Sequence, residues 1–256
     1  IDIRSQNDLT NEFSAGAGVS LVSADAYFKI PVNEKLEFHF SGRRSLNDLF
    51  NTPTYESYFD RTFQDTDILV AGGEGESSNR TADFNYYDFS FKSLYDLNEK
   101  HKFRFSTLYI DNKLDYTEFR SADLAEEQRK SSLAQRNLAA GGTWKATWNS
   151  NFSTEALGYL TRYRLEASNL TLEQGQRLLQ ENEVLETGLK LSGALKYSES
   201  LEWINGYHFY EVGVLNAENV NNPFFSSRIK NVIRGHTAFS ELHYNQCMVF
   251  FKRGRR

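Results

Sequence analysis

The stretch LETGLKLSGALKY, residues 185–197, alternates strictly. Leu185, Thr187, Leu189, Leu191, Gly193, Leu195 and Tyr197 hold one parity, and Lys190, Ser192 and Lys196 hold the other. A period of two puts the two sets on opposite faces of one strand. The run is about twice the usual strand length of ~5–6 residues. Outward from it the same period recurs. Leu201, Trp203, Tyr207 and Phe209 follow on the C-terminal side, then a less regular set of Val232, Ala238, Leu242 and Tyr244. On the N-terminal side lie Leu157, Tyr159, Thr161, Tyr163 and Leu165, and before them Leu138, Ala140, Gly142, Trp144, Ala146 and Trp148. Earlier still come Phe103 to Tyr109, Tyr87 to Leu97, Leu36 to Phe40, and two short runs whose phase slips at Val22–Ser23. A strand cannot change face without a turn or bulge, so that slip predicts one. The count is roughly ten strands, many of ten or more residues.

Composition supports long strands. Aromatics reach 14% and Pro is only 3 in 256 residues, which suits uninterrupted β-structure. A net charge of −5 disfavours nucleic acid as a partner, since such binding rests on neutralising phosphates. Mean hydropathy is −0.59 and no apolar run approaches the ~18 residues of a spanning helix. Strands of a membrane barrel are only half apolar, so that class stays open. One cysteine, Cys247, excludes an internal disulfide framework.

Short polar turns fall near residues 34, 99, 150, 199 and 246, and long polar stretches lie at about 47–83, 111–135, 166–183 and 214–231. Each interval holds one strand up, one long loop and one strand down. This predicts an all-β, antiparallel up-and-down meander with short turns at one end and long loops at the other, as in a transmembrane barrel. Tyr95, Phe103, Trp148, Phe152, Tyr197 and Trp203 flank the short turns, the placement of an interfacial aromatic girdle. A soluble antiparallel sandwich is the competing reading, and a propeller fits less well because its blades need four short strands. Two segments resist. ADLAEEQRKSSLAQR (122–136) and TLEQGQRLLQEN (171–182) are built of helix formers, and Asp123 with Glu126 has the spacing of a capping box. Both are expected as short helices on outer loops, or as part of a two-domain α+β chain.

No catalytic motif appears: there is no GxSxG, no HExxH and no paired cysteine, so the chain reads as a non-enzyme with no cofactor and no metal. His39, His101, His208, His236 and His243 form no i, i+4 pair. DTDILVAGGEGE (65–76) lacks the ligand spacing of a calcium hand and reads as an acidic loop. The stretch FNTPTYESYFDRTF (50–63) places Tyr55, Tyr58 and Phe59 among polar residues on an outer loop. These three are the candidate ligand-binding residues, because exposed rings suit stacking on a ligand; packing inside the barrel mouth is the other reading.

IDIRSQ (1–6) followed by FSAGAGVSLVSADAYFKIPVNEKLEFHFSGRRS (13–45) resembles the junction between plug and barrel in TonB-dependent outer-membrane receptors, especially those of Bacteroidetes-like bacteria. The strand ending in Ser41 to Ser45 is similar to an early barrel strand of that family. The resemblance implies residues 1–6 as the end of a plug domain and 7–256 as a partial transmembrane β-barrel, an open curved sheet. It implies the outer membrane of a Gram-negative bacterium, contact with outer-membrane lipid, and partnership with a plug domain and a TonB complex. It also implies uptake of a bulky nutrient, a siderophore or a glycan piece. The chain departs from the family pattern: no TonB box is present, about ten strands stand where about 22 are expected, and NQCMVFFKRGRR (245–256) is unlike a closing barrel strand. A soluble or surface carbohydrate-binding β protein and a passive porin-like outer-membrane barrel are the alternatives.

Overall fold

A computed structural model describes residues 7–47, 53, 78–122, 125–171 and 175–244. Ten strands follow one another: β1 (Ser14–Val19), β2 (Ser23–Asn33), β3 (Leu36–Ser45), β4 (Ser78–Asp96), β5 (His101–Ala122), β6 (Ala125–Thr147), β7 (Phe152–Thr171), β8 (Gln176–Lys196), β9 (Leu201–Asn221) and β10 (Phe224–Tyr244). They form one sheet in the order β1 to β10, every pair antiparallel and adjacent in sequence. Among the described residues β1 pairs only with β2 and β10 only with β9, so the sheet is open. The all-β meander expected from the sequence is what forms, and no second layer covers either face among the described residues. The expected slip at Val22–Ser23 is the β1–β2 turn, closed where Ser20 N–H donates to the Ser23 carbonyl at 2.8 Å.

Asparagines shape the short turns. Asn98 Oδ1 accepts from the N–H groups of Lys100 and His101 at 2.9 and 2.8 Å. Asn149 Oδ1 accepts from Asn151 and Phe152 at 2.9 and 2.8 Å, and Asn33 Oδ1 accepts from Lys35 at 2.8 Å. A short amide side chain that bonds its own backbone two residues on is the reason Asn recurs there.

The opposite end departs from expectation. The stretches 111–135, 166–183 and 214–231, read as long loops, are paired strand nearly to their tips. Residues 125–136, expected as helix, belong to β6, and 176–182 belong to β8. Only residues 123–124 separate β5 from β6. At the β7–β8 tip Gly175 takes φ +59°, a left-handed turn conformation that a side chain resists. Helix formers lose here because residues from Arg129 in β6 and from Leu178 in β8 gain cross-strand partners on both sides, and tertiary pairing overrides weak propensity. The stretch 47–83 lies mostly outside the described residues, and its end is β4.

Antiparallel partners share a face, so the register defines two faces over the whole sheet. The leucine face carries Leu189 and Leu191, and the lysine face carries Lys190, Ser192 and Lys196. On the leucine face, a band without Asp, Glu, Lys or Arg runs from Tyr87 to Tyr95, His101 to Tyr109, Leu138 to Trp148, Phe152 to Leu160, Leu185 to Leu195, Leu201 to Phe209 and His236 to Tyr244. Each run is nine to eleven residues long. At ~3.3 Å per residue and ~45° tilt this is roughly 21–26 Å, close to the ~25 Å apolar band of a transmembrane β-barrel. Large apolar groups on it stand in the open: Phe89 is 48% exposed, Phe105 43% and Leu191 42%.

Both borders of the band are marked. At the short-turn border Tyr95 stacks on Phe103, Phe103 on Trp144, and Tyr197 on Trp203, with centroids 6.1, 6.3 and 6.4 Å apart. The girdle residues expected from the sequence sit at this level, and Trp144 joins them. At the other border charges begin at once and pair with each other. Asp111, Arg136, Glu166, Arg164 and Glu181 form one chain of ion pairs across β5 to β8. Arg162 binds Glu183 at 2.6 Å and Arg234 binds Glu211 at 2.5 Å. Further out, burial raises the Asp115 carboxyl, but hydrogen bonds from Lys113 and Ser132 outweigh it and hold the group below the usual range.

The alternating run in β7 does not share the face of the other apolar runs. Leu157, Tyr159, Thr161, Tyr163 and Leu165 lie on the lysine face, since Leu157 pairs with Lys190. The β7 residues of the leucine face are Phe152, Thr154, Ala156, Gly158 and Leu160.

Candidate functional site

The lysine face carries the polar chemistry, and it changes character along the strands. Behind the apolar band it is charged, with Glu37, Arg43, Asp88, Lys92, Asp96, Lys102, Arg104, Lys145, Glu155, Glu186, Lys190 and Lys196. These residues mostly answer one another. Arg43 meets Asp88 at 2.7 Å, Arg104 meets Asp96 at 2.6 Å, and Lys145 meets Glu155 at 3.1 Å. A groove of about 600 Å³ runs between β4 and β7, and Lys92, Arg104, Ser106, Lys145, Glu155 and Tyr159 are among its walls.

Residues 7–11 cross this face and are tied at two points. Glu37, fully buried, accepts at Oε2 from Thr10 N, Thr10 Oγ1 and Asn11 N at 3.0, 3.1 and 3.0 Å. Its Oε1 sits 2.5 Å from His39 Nε2 and 3.8 Å from Lys29 Nζ. A carboxylate can fill its acceptor sites this way, which is how a buried charge is tolerated. Asn11 has φ 54°, a left-handed conformation that Asn accepts better than most residues. The second tie is Arg104, whose Nε donates to the Asn7 carbonyl at 2.8 Å while its other nitrogens reach Asp96 and the carbonyls of Tyr95 and Phe103.

A third cluster centres on Tyr159. Its hydroxyl donates to Glu186 Oε1 at 2.7 Å and lies 3.1 Å from His208 Nε2, and Lys190 Nζ stands 5.6 Å from its ring centre. Tyr159 lies flat over its cross-strand partner Gly188, where a Cβ would fall 2.4 Å from the ring. Tyr210 over Gly235 and Phe239 over Gly206 repeat the arrangement. An aromatic covering a strand glycine restores the packing that the glycine lacks.

Beyond the level of the ion-pair border, charges on the lysine face thin out between β5 and β10. Two registered rows cross six strands there. One is Ile110, Asn137, Tyr163, Val184, Val214 and Asn231; the next is Asn112, Gln135, Leu165, Asn182, Asn216 and Ile229. Apolar character has thus moved from one face to the other, while the leucine face at this level is densely charged. The carboxamides of both rows make no side-chain hydrogen bond with any described residue.

The expected site lies elsewhere. Tyr55, Tyr58 and Phe59 fall outside the described residues, as do the acidic loop 65–76 and residues 1–6. No group of three His, Cys, Asp or Glu side chains is placed to hold a metal ion among the described residues. Sequence reading left His39 and His208 as scattered histidines; the register makes them partners of Glu37 and Tyr159. The carboxamide rows carry no linear signal, because their members are spread over residues 112–231 and meet only through pairing.

No family model and no curated protein sequence matches the chain. Among solved structures, the ferric yersiniabactin uptake receptor of Yersinia pestis is similar at a TM-score of 0.49 and 8% identity, over 90% of this chain and 38% of the receptor. The alcaligin outer-membrane receptor of Bordetella pertussis gives 0.37 and 11%, over 92% of this chain and 41% of that one. The outer-membrane protease of Escherichia coli gives 0.31 and 8%, over 88% and 87%. The chain therefore spans about two fifths of the length of the two receptors.

Proposed function

We propose that this chain is part of the wall of a transmembrane β-barrel in a Gram-negative outer membrane, with the leucine face against lipid. The observation that carries the reading is the charge-free band of nine to eleven residues, bordered by aromatics on one side and ion pairs on the other. A soluble sandwich would cover that band with a second layer, and none is present among the described residues.

Within that class the reading is a TonB-dependent receptor that takes up a bulky nutrient, with residues 1–6 ending a plug domain and 7–256 forming a partial barrel. The tethered segment 7–11 supports it, since it brings the chain in across the polar face, where a plug would stand. Outer loops and the upper lysine face would bind the nutrient, and the plug, moved by the TonB complex, would open the lumen. No covalent step is involved.

The test uses the full-length gene product containing this sequence. The expected result is recovery in the outer-membrane fraction, extraction only with detergent, and altered mobility on unheated gels. Uptake of the nutrient should cease in a strain lacking the TonB complex. Recovery in the soluble fraction refutes the membrane reading; uptake that persists without TonB refutes the receptor reading and favours a porin.

A further inference from the structure

Resting on the receptor reading above, we infer that the upper lysine face is a binding surface for a neutral, hydroxyl-rich chain, an oligosaccharide. Four carboxamides, Asn112, Gln135, Asn182 and Asn216, lie in one registered row that crosses β5 to β9. Four strand spacings of ~4.8 Å make the row roughly 19 Å long, about the length of four sugar rings. Each carboxamide offers a donor pair and an acceptor side by side, which matches the hydroxyl pairs of a sugar.

The apolar members supply the second half of the recognition. Tyr163 and Leu165 present ring and methyl surface between the amides, suited to the C–H faces of a pyranose. Groups that need partners are left without them here: no carboxamide of the row bonds another described side chain or backbone group. On the leucine face at the same level, acids and bases are paired with each other. Asn216 is exposed, and Asn112, Gln135 and Asn182 are half-buried, so each keeps part of its carboxamide open to a ligand.

Charge decides the ligand class. Neither row carries an ionisable side chain other than the Tyr163 phenol. The charges at the margins are Asp88, which continues the first row on β4 and is bound by Arg43, and Glu186, already bonded by Tyr159, together with Glu218 and Arg129. A charged ligand would lose water without gaining a counter-charge, whereas a neutral one loses nothing it cannot regain.

The experiment is calorimetric titration of the full-length protein, purified from outer membranes in detergent. The probes are neutral malto- and cello-oligosaccharides of about five units, oligogalacturonate of equal length, and a ferric hydroxamate chelate. Binding of a neutral series in preference to both charged probes is expected. Asn182→Ala combined with Asn216→Ala should weaken it by about tenfold or more, as expected for losing two hydrogen bonds, with unchanged heat-modifiable mobility. Preference for a charged probe, absence of neutral binding, or neutral binding untouched by the double substitution each overturns the inference. The probe ranking needs no variant, so a misfolded mutant does not shield it. A protein that inserts but binds no neutral glycan sinks this inference alone; one that never reaches the membrane sinks the receptor reading.

Discussion

Arginine placed along β8 on the leucine face should cost an amount set by depth, not by crowding. Leu185 and Leu189 are almost equally exposed, at 37% and 41%. They differ in position. Leu185 pairs with Arg162 and stands two residues from Glu183, at the ion-pair border. Leu189 lies four residues further in, roughly 9 Å deeper at ~3.3 Å per residue and ~45° tilt. In a bilayer Leu189→Arg should cost about 2–4 kcal/mol and Leu185→Arg about 0–1 kcal/mol. The deeper substitution then shifts the folding equilibrium by roughly thirtyfold to nearly a thousandfold. Ser192→Arg, near the same depth on the lysine face, should be mild. The assay is denaturant titration of the full-length protein into lipid vesicles, followed by tryptophan fluorescence; Trp144, Trp148 and Trp203 sit at the short-turn border. Equal costs at Leu185 and Leu189, or a cost at Ser192 matching that at Leu189, would refute the lipid-facing assignment, because a buried protein core would price the two leucines alike.

Gly188→Ala should destabilise by about 1–3 kcal/mol in the same titration, since its Cβ would drive into the Tyr159 ring. Gly158→Ala, with nothing within 4 Å of the added carbon, should stay near zero; similar values for both would mean that Tyr159 does not lie where it is described. Glu37→Gln should speed hydrogen exchange at the Thr10 and Asn11 amides and expose residues 7–11 to protease while the sheet persists. Unchanged exchange there would show that Glu37 is not the tether. Residues 129–136 should exchange as slowly as 138–144, because both are paired on two sides; fast exchange confined to 129–136 would restore the helical or loop reading.

Alternation made the lower half of the sheet legible. Leu189, Leu191, Phe103 and Trp203 stand on the charge-free face and Lys190, Lys102 and Glu202 on the other, so polarity tracks parity. The upper half kept the period of two but lost its sign. In β7 the parity holding Phe152 and Ala156 gives way to Arg162 and Arg164, while Tyr163 and Leu165 hold the apolar side on the opposite face. A reading that follows hydrophobicity alone steps across to the wrong face there. In β6, AEEQRKSS presents charge on both parities near the hairpin tip, so no period shows, and helix propensity fills the gap. The strand exists because β5 pairs with it throughout and β7 from Arg129 onward, and the β7 partners of Arg129 to Ser132 lie 36 to 42 residues away. The candidate site was illegible for the same reason: Tyr55, Tyr58 and Phe59 are neighbours in sequence, whereas Asn182 and Asn216 are neighbours only through the register.

The edges of the sheet carry the last step. β10 has 21 residues and is exposed along almost its whole length, while β1 has 6. Hydrocarbon offers no partner to an unpaired N–H or C=O group, so a wall lying in a bilayer must have its edges paired. Joining β10 to β1 would pair at most 6 of those 21 residues and leave 15 without a partner, several of them within the apolar run His236 to Tyr244. A chain closed on itself in that way would keep most of the penalty it was meant to remove. Strands as long as β4 to β9 on the far side of each edge would remove it. If the leucine face lies against lipid as proposed, the open sheet and the one-sided apolar band set one requirement: the edges at β1 and β10 must each be paired by further strand.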